Sequence, residues 1–298
     1  MKQIRHEESP GESIRPLEPA RRAKLEATVP PLSGAYRRKQ RRRYRRWRLK
    51  NLISRRLVPA RHGSTAAFHS EFAIAIIGVG PRYRAWARTL IHGLRGPGRY
   101  AGPVYVITDD PRQFADFDNT SCIRIAPTRH QMVIKTCKTF LHQWLAERYV
   151  LYLDADILVG CDIRAWCEQA LECLAGHAAL FYPDPSSRRM PYHGGLMLID
   201  SDKAGPFFKA WRRCLASGHF RQDQEALLAC AESFDLGRPP AYGLSFPAPE
   251  NVRAGERDCF IHLTSYRYSQ LGHDACYAYL CNTLGLRPSQ AAERLDLS

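Results

Sequence analysis

Apolar runs of strand length alternate with helical patterns through the middle of the chain. Phe72–Val79 is apolar and ends in Gly-Val-Gly-Pro, and Tyr83–Leu94 follows with apolar side chains at three- and four-residue spacing. Val104–Ile107 and Tyr149–Leu153 are two further apolar runs. Near-continuous apolar strands that alternate with helices indicate a mostly parallel sheet with helices on both faces.

Shorter patterns predict the remaining elements of this region. The three-and-four spacing of apolar residues over Val133–Leu145 predicts one helix before the strand at Tyr149. Further helices are expected near Phe207–Ala216 and Gln222–Cys230, and further short strands at Ala178–Tyr182, Leu196–Ile199 and Cys259–Leu263.

The chain before residue 70 has a different composition. Twelve Lys or Arg residues and no acid occur from Arg37 to Arg56, and the 298-residue chain has a net charge of +15. Concentrated like charges repel each other and are costly to bury. We therefore predict a basic, largely disordered N-terminal arm over residues 1–69, with the composition of a basic helix over 37–57, and a folded domain over residues 70–298.

Cysteine spacing and hydropathy bear on the compartment. The ten cysteines include no CxxC pair, and no N-terminal apolar segment resembles a signal peptide. No run approaches the roughly 20 apolar residues that span a bilayer. These patterns favour reduced thiols and a cytoplasmic protein. The arm favours peripheral binding to an anionic membrane at its inner face; nonspecific nucleic-acid binding and an inert solubilising tail are the alternatives, and no specific nucleic acid is expected.

Two carboxylates directly follow the apolar strand Tyr149–Leu153. The small residue Ala155 separates Asp154 from Asp156, so the turn can direct both side chains to one point beyond the carboxyl end of the strand, where such sheets bind ligands. Converging carboxylates repel each other unless a cation lies between them, and hard oxygen ligands suit Mn²⁺ or Mg²⁺. An Asp-x-Asp can also be a plain exposed turn, but the flanking apolar runs favour a divalent-metal site.

The segment from Lys138 to Val159, with its Leu-Asp-Ala-Asp block, resembles the metal-binding region of family 8 glycosyltransferases, which include glycogenin and bacterial lipopolysaccharide galactosyl- and glucosyltransferases. Three later blocks occur in the family's order: His193–Asp200, Asp223–Glu225 and Phe260–His262. The resemblance implies a GT-A fold, an α/β nucleotide-diphospho-sugar transferase domain with a mostly parallel central sheet. It also implies His262 as a third metal ligand beside the two aspartates.

The same resemblance implies a reaction and a catalytic set. A hexose would move from a nucleotide-sugar, in particular a UDP-sugar, to a hydroxyl of a glycan or other acceptor, with retention of configuration. Lys138 would stabilise the diphosphate leaving group or contact the donor sugar. Asp223 would bind sugar hydroxyls, although it can also simply cap a helix, and Gln224 would stabilise the oxocarbenium-like centre. If the transfer were inverting, Asp223 or Glu225 would be the first candidate for the general base.

Further contacts with nucleotide or sugar are predicted at strand ends. Gly80 and Tyr83 follow the first strand, where the base would lie, and the two glycines of the His193 block permit close approach of the backbone to a sugar. His193 stands where the family usually has Asn, and Arg267 would replace a lysine of the family. The predicted substrate-binding set is Gly80, Tyr83, Asp154, Ala155, His193, Gly194, Gly195 and Arg267.

Two other functions are compatible with the sequence. A sugar nucleotidyltransferase has a related fold, but it normally carries a Gly-rich loop with Lys or Arg after the first strand, and Gly78–Arg84 is a poor version of that loop. A noncatalytic nucleic-acid-binding protein could act through the basic arm without using the aspartate pair.

Overall fold

A computed structural model of the chain describes residues 33–58, 71–183, 192–220, 222–231, 233–245 and 259–263. Its strands are β1 (Arg56–Val58), β2 (Phe72–Gly78), β3 (Val104–Thr108), β4 (Thr120–Arg124), β5 (Tyr149–Asp154), β6 (Ile157–Val159), β7 (Ala179–Tyr182), β8 (His193–Asp200), β9 (Leu236–Gly237), β10 (Leu244–Ser245) and β11 (Phe260–His262). Its α-helices are α1 (Gly34–Ser54), α2 (Pro81–Arg95), α3 (Gln131–Lys135), α4 (Leu141–Trp144), α5 (Arg164–Leu174), α6 (Gly205–Ser217) and α7 (Asp223–Ala231), and 3₁₀ segments occur at Pro111–Phe114 and Thr136–Phe140.

The described strands form one large sheet and one small sheet. The large sheet has the order β1-β4-β3-β2-β5-β8-β7-β9, and the small one has the order β10-β11-β6. The run from β4 through β3 and β2 to β5 is parallel, whereas β8 pairs antiparallel with both β5 and β7. The parallel strands therefore end at one edge, and β5 stands where the strand direction reverses.

Helices cover both faces of the large sheet. Alternate residues of β2 separate onto two cores, with Ile74 and Ile76 in one and Ala75 and Ile77 in the other. Apolar residues of α2 and α5 fill the first core, and those of α6 and α7 fill the second. All seven residues of β2 are buried, as expected for a parallel strand between two helical layers.

The predicted strands and helices are found within one to three residues of their expected ends, with one exception. The helix expected over Val133–Leu145 is divided into α3, a 3₁₀ segment and α4. Within the dividing segment the Thr136 hydroxyl donates to the Met132 carbonyl at 2.7 Å, and the Thr139 hydroxyl donates to the Thr136 carbonyl at 2.8 Å. Such threonine-to-backbone bonds compete with regular helical geometry. The described elements β1, β4, β6, β9, β10 and α5 were not predicted, and β1 includes residues 56 and 57, which were predicted as the end of the basic helix.

Part of the predicted arm is structured. Trp47 and Asn51 of α1 are buried against the domain, and β1 pairs antiparallel with β4. The Asn51 side chain accepts a hydrogen bond from the Ala126 backbone N–H at 2.9 Å. Residues 33–58 therefore pack on the domain. Residues 1–32 and 59–70 lie outside the described residues, so the boundary at residue 69 stays a prediction.

Two findings concern cysteines and membranes. No disulfide joins the eight cysteines that the structure describes. Within the same described residues, no helix has both the length and the hydropathy to cross a membrane.

Candidate metal and donor site

Three potential metal ligands converge at the carboxyl end of β5. Asp154 ends that strand, buried Ala155 occupies the turn, and Asp156 precedes β6. Strand β11 pairs antiparallel with β6 and places His262 opposite Ile157. One ligand atom from each of Asp154, Asp156 and His262 lies within 4.8 Å of the others, and His262 Nε2 is 3.4 Å from Asp156 Oδ1. The sequence-predicted ligands are therefore brought together by two sheets.

The composition of this cluster fits a divalent metal ion. Two carboxylates and one imidazole are ligands that Mn²⁺ accepts. Asp154 and Asp156 are half-buried, and His262 is buried. A Cβ atom built on the neighbouring residue Gly195 would lie 2.8 Å from Asp154 Oδ2, so the glycine leaves the Asp154 carboxylate unobstructed.

A buried lysine connects the aspartate pair to helix α7. The Lys138 ammonium is 3.0 Å from Asp154 Oδ1 and 3.2 Å from Asp223 Oδ2, and it donates to the Gly194 carbonyl at 2.8 Å. Its side chain is 1% exposed. Lys135 approaches the other oxygen of Asp223 at 2.6 Å. The carboxylates of Asp154, Asp156 and Asp223 thus outnumber the two lysine ammonium groups. One negative charge is not balanced by a lysine beside the candidate metal position.

The lysines keep the carboxylates ionised. Burial alone would raise the pKa of Asp223, but Lys138 and Lys135 hold the pKa of this carboxyl group well below its ordinary value. Burial likewise opposes ionisation of Asp154, and the charge of Lys138 together with a hydrogen bond from the Tyr152 hydroxyl keeps its pKa low. Both groups therefore remain anionic at neutral pH.

His193 packs against His262, the third candidate ligand. Its ring centroid is 4.6 Å from that of His262, at an interplanar angle of 75°. His193 Nδ1 accepts from the Gly195 N–H at 3.3 Å. Burial, and then the neighbouring His262, lower the pKa of His193 to about 3, so its ring is neutral. For His262, burial would lower the pKa, and the adjacent Asp156 carboxylate raises it above its ordinary value.

The two glycines of β8, Gly194 and Gly195, lie between the candidate metal ligands and α7. The register between β7 and β8 is interrupted there, with Phe181 opposite Met197 but Tyr182 opposite His193; such bulges are common beside active sites. A Cβ at Gly194 would have ordinary contacts, 3.6 Å from Asp223 Oδ2 and 4.0 Å from Gln224 Cγ. Gly194 therefore borders the space next to the two predicted sugar-binding residues of α7.

The loop after β2 is held by an acid that the sequence analysis did not single out. Gly80 has φ +84° and precedes α2, and its N–H donates to Asp109 Oδ1 at 3.1 Å. Arg84 donates to the same oxygen at 2.6 Å. Tyr83 is half-buried and packs edge-on against Trp86, with ring centroids 5.8 Å apart. Gly80 and Tyr83 thus lie after the carboxyl end of β2, the strand next to β5. Their contacts described above are with Asp109 and Trp86 and not with the aspartate cluster.

Two other residues of the cluster were missed from the sequence. Lys135 was not among the predicted site residues, and it pairs with Asp223. Its three-residue spacing from Lys138 on a helical stretch was the available signal. Tyr152, which bonds to Asp154, was read only as a strand residue. Predicted Arg267 lies outside the described residues.

Solved structures that resemble this chain are glycosyltransferases. GlyE from Streptococcus pneumoniae TIGR4 matches with a TM-score of 0.51 at 13% identity, over 76% of this chain and 64% of GlyE. The galactosyltransferase LgtC, solved with donor and acceptor sugar analogues, matches with a TM-score of 0.50 at 13% identity, over 74% of this chain and 99% of LgtC. The bifunctional glycosyltransferase WbbM matches with a TM-score of 0.50 at 11% identity, over 79% of this chain and 54% of WbbM.

These similarities confirm the predicted fold class, that of GT-A glycosyltransferases. No protein-family model and no curated protein matches the chain. The chain spans 64% of the length of GlyE. At identities of 11–13% the shared feature is the fold, and activity has to be argued from the site itself.

Proposed function

We propose that this chain is a metal-dependent glycosyltransferase that moves a hexose from a nucleotide-sugar, in particular a UDP-sugar, to a hydroxyl of a glycan or other acceptor. The observation that carries the proposal is the convergence of Asp154, Asp156 and His262 within 4.8 Å at the end of β5. In open α/β sheets ligands bind beyond the carboxyl ends of the strands at the point where the strand order reverses, which in this sheet lies between β2 and β5.

Asp154, Asp156 and His262 would hold Mn²⁺ or Mg²⁺. When bound, the ion supplies positive charge that stabilises a nucleoside diphosphate as the leaving group. The protein's own contribution is to fix the ligands in place: Lys138 and Tyr152 both contact Asp154, and Asp156 accepts a backbone hydrogen bond from Leu263 at 2.9 Å.

Lys138 is best described as a positioning residue that also contributes charge. Its ammonium group lies between Asp154 and Asp223 and is fully enclosed, so it links the metal ligands to the residue proposed to bind sugar hydroxyls. Asp223 keeps lone pairs for a hydroxyl donor beyond those used by the two lysines. Gln224 follows it on α7 beside Gly194, the place proposed for the reacting face of the sugar.

Retention of configuration is supported by the surroundings of Asp223 and Glu225, the two acids that would be candidates for the general base of an inverting enzyme. Asp223 has a pKa held well below its ordinary value by Lys138 and Lys135, which makes it a weak proton acceptor. Glu225 accepts a hydrogen bond from the Gln222 N–H at 3.1 Å, the arrangement of an N-terminal helix cap. Asp223 is therefore poorly suited to act as a general base, and Glu225 has one oxygen engaged in the helix cap.

The sugar nucleotidyltransferase alternative is disfavoured by the loop after β2. A phosphate-binding loop presents backbone N–H groups and a cation to the ligand. Here the Gly80 N–H and the Arg84 guanidinium both bind Asp109. The loop's groups are thus engaged with an acid of the protein rather than directed at a phosphate.

A donor-hydrolysis screen tests the proposal. The wild-type chain, supplied with common nucleotide-sugars and Mn²⁺, is expected to release nucleoside diphosphate from at least one donor, and chelation with EDTA should stop the release. Asp156→Ala should lower the rate on the order of 100-fold, because it removes a charge that positions the leaving group.

Asp235→Ala is the matched control. Asp235 is an exposed acid that pairs with His177 away from the cluster, so its loss should leave turnover unchanged. Equal turnover by wild-type and Asp156→Ala would contradict the assigned metal role. A wild-type chain that binds neither Mn²⁺ nor a nucleoside diphosphate in calorimetry would contradict the function as a whole.

A further inference from the structure

Helix α1 attaches to the domain along one narrow side. Tyr36, Gln40, Tyr44, Trp47 and Asn51 recur at three- and four-residue spacing and are buried or half-buried. This side packs toward α3 and α6, and the Arg41 side chain also donates to the Ser217 carbonyl at 2.8 Å. The helix is therefore fixed on the domain, and its remaining sides face outward.

The outward sides of α1 and β1 carry dense positive charge. We use the name basic surface for the exposed residues Arg38, Lys39, Arg41, Arg42, Arg45, Arg46, Arg48, Lys50, Arg55 and Arg56, together with exposed Arg124 and Arg129 next to them. No acid occurs in the sequence between residues 27 and 70. A concentration of this kind attracts a polyanionic surface and costs stability unless one is bound.

Exposed leucines accompany the arginines. Leu49 of α1 is 62% exposed and Leu57 of β1 is 58% exposed. Both lie directly beside basic residues in the sequence, and the third exposed large apolar residue among those described is Tyr242. Cationic and apolar side chains on one surface suit the boundary between lipid headgroups and acyl chains. The phosphate backbone of a nucleic acid would bind the arginines but would offer no apolar contact to the leucines.

The basic surface begins at the same sheet edge as the candidate active site. Arg56, the first residue of β1, pairs with Arg124, the last residue of β4. Arg124 in turn pairs with Thr108 at the end of β3, and Thr108 pairs with Gly78 at the end of β2. The preceding residue of β2, Ile77, pairs with Asp154 of β5. Four strand spacings of about 4.8 Å place Arg56 roughly 20 Å from Asp154.

We propose that the basic surface docks this chain on an anionic phospholipid bilayer. Arginine and lysine side chains bind the headgroup phosphates, and Leu49 and Leu57 enter the headgroup layer. Docking brings the carboxyl edge of the large sheet close to the bilayer. If the proposed glycosyltransferase function holds, the acceptor hydroxyl belongs to a glycan displayed at that membrane, and this last step alone rests on the proposed function.

Vesicle cosedimentation of the full-length chain tests the docking. Binding is expected to phosphatidylcholine vesicles that contain phosphatidylglycerol at about three to one, but not to phosphatidylcholine alone, and it should weaken as salt is raised. The triple variant Arg42→Gln, Arg45→Gln and Arg46→Gln should bind roughly tenfold to 100-fold more weakly. The control Arg99→Gln, Arg164→Gln and Lys203→Gln has the same net charge, and its exposed residues lie outside the basic surface, so it should bind like wild type.

The leucines distinguish a bilayer from a nucleic acid. Leu49→Ser with Leu57→Ser should weaken vesicle binding, and Tyr242→Ser should not. Equal binding of both triple variants, binding to neutral vesicles, or tighter binding of mixed-sequence DNA or RNA oligonucleotides at the same salt would each overturn the proposal. Asp156→Ala should bind vesicles like wild type. Donor turnover therefore tests the proposed metal site, and vesicle binding tests the proposed docking independently of it.

Discussion

Gly195 lies in β8 with no room for a side chain. A Cβ there would be 2.5 Å from His193 Cε1 and 2.8 Å from Asp154 Oδ2. Gly195→Ala should therefore displace the proposed metal ligand Asp154, with an overpacking cost of about 1–3 kcal/mol and Mn²⁺ affinity reduced roughly 10- to 100-fold. Calorimetric titration with Mn²⁺ measures the change.

Gly194→Ala is the matched control for that experiment. The new methyl group would meet Asp223 and Lys138 at 3.6 and 3.9 Å, which are ordinary contacts. Mn²⁺ affinity should stay at the wild-type value, while the affinity for the donor sugar falls if the sugar occupies this space. Equal Mn²⁺ affinities for the two alanine variants would refute the tight approach of Gly195 to Asp154.

Asp223 links the site to the pH dependence of stability. Its folded pKa lies below the unfolded value of about 3.9, because Lys138 and Lys135 outweigh the effect of burial. The carboxylate therefore stabilises the fold fully above about pH 4, and this stabilisation is lost as the pH falls from there through the folded pKa.

Asp223→Asn should accordingly destabilise the protein by about 3 kcal/mol at pH 7, because it leaves buried Lys138 without one of its two carboxylates. The difference from wild type should shrink as the pH falls below about 4. Urea denaturation at pH 7, 4 and 3 measures it. A difference that grows toward acid pH would show that Asp223 is not ionised in the folded protein.

At the scale of single residues, strand-end acids could be predicted and lysine partners could not. Asp154 and Asp156 follow an apolar strand, and sheet topology alone assigns such residues to the ligand edge. The spacing of Lys135 from Lys138 indicates only that the two lysines share one side of a helical stretch, and its partner Asp223 lies 88 positions away in sequence. Only the packing of α7 against the segment around Lys138 brings the two residues together.

At the scale of elements, the start of α7 decides between two roles for Glu225. Its side chain accepts from the Gln222 N–H, which is a cap and not a position for proton transfer. Glu225→Gln keeps an acceptor oxygen and should leave both stability and turnover near wild type. Glu225→Ala should lower the free energy of unfolding by about 1 kcal/mol.

Chemical denaturation and donor turnover of the two Glu225 variants measure these effects together. If Glu225 were the general base of an inverting enzyme, Glu225→Gln would abolish turnover while leaving the fold intact. That outcome would replace the capping role and would also remove the support for retention.

Element boundaries followed the hydrophobic pattern where strands are buried on both sides. The seven-residue β2 is apolar throughout, and its prediction was within one residue. Strand β4 reads Thr-Ser-Cys-Ile-Arg and has only two apolar residues, so it gave no comparable signal; its neighbours β3 and β1 define it. The division of the helix at Thr136 depends on hydrogen bonds from threonine hydroxyls to backbone carbonyls. The spacing of apolar residues gives no indication of such bonds.

At the scale of the whole molecule, the sequence separated a basic arm from the domain, whereas the structure places residues 33–58 on the domain surface. Most arginines of this segment remain exposed, as their mutual repulsion and the cost of burying charge require. The prediction of a separate arm overlooked the narrow side that Trp47 and Asn51 provide. Half-buried Tyr36, Gln40 and Tyr44 lie on the same side as buried Trp47 and Asn51.

Asn51 supplies the test of this attachment. It accepts from the Ala126 N–H at 2.9 Å and donates to the Trp47 carbonyl at 3.0 Å. Asn51→Ala leaves the Ala126 N–H unsatisfied at a cost of about 1–3 kcal/mol, so α1 should separate from the domain more often. Because α1 is rich in Lys and Arg, trypsin should then cut between residues 37 and 56 faster than in wild type, as read by mass spectrometry. Asn51→Asp keeps the acceptor and should be cut at a rate closer to wild type; equal cleavage of all three chains would mean that α1 is not held by the domain.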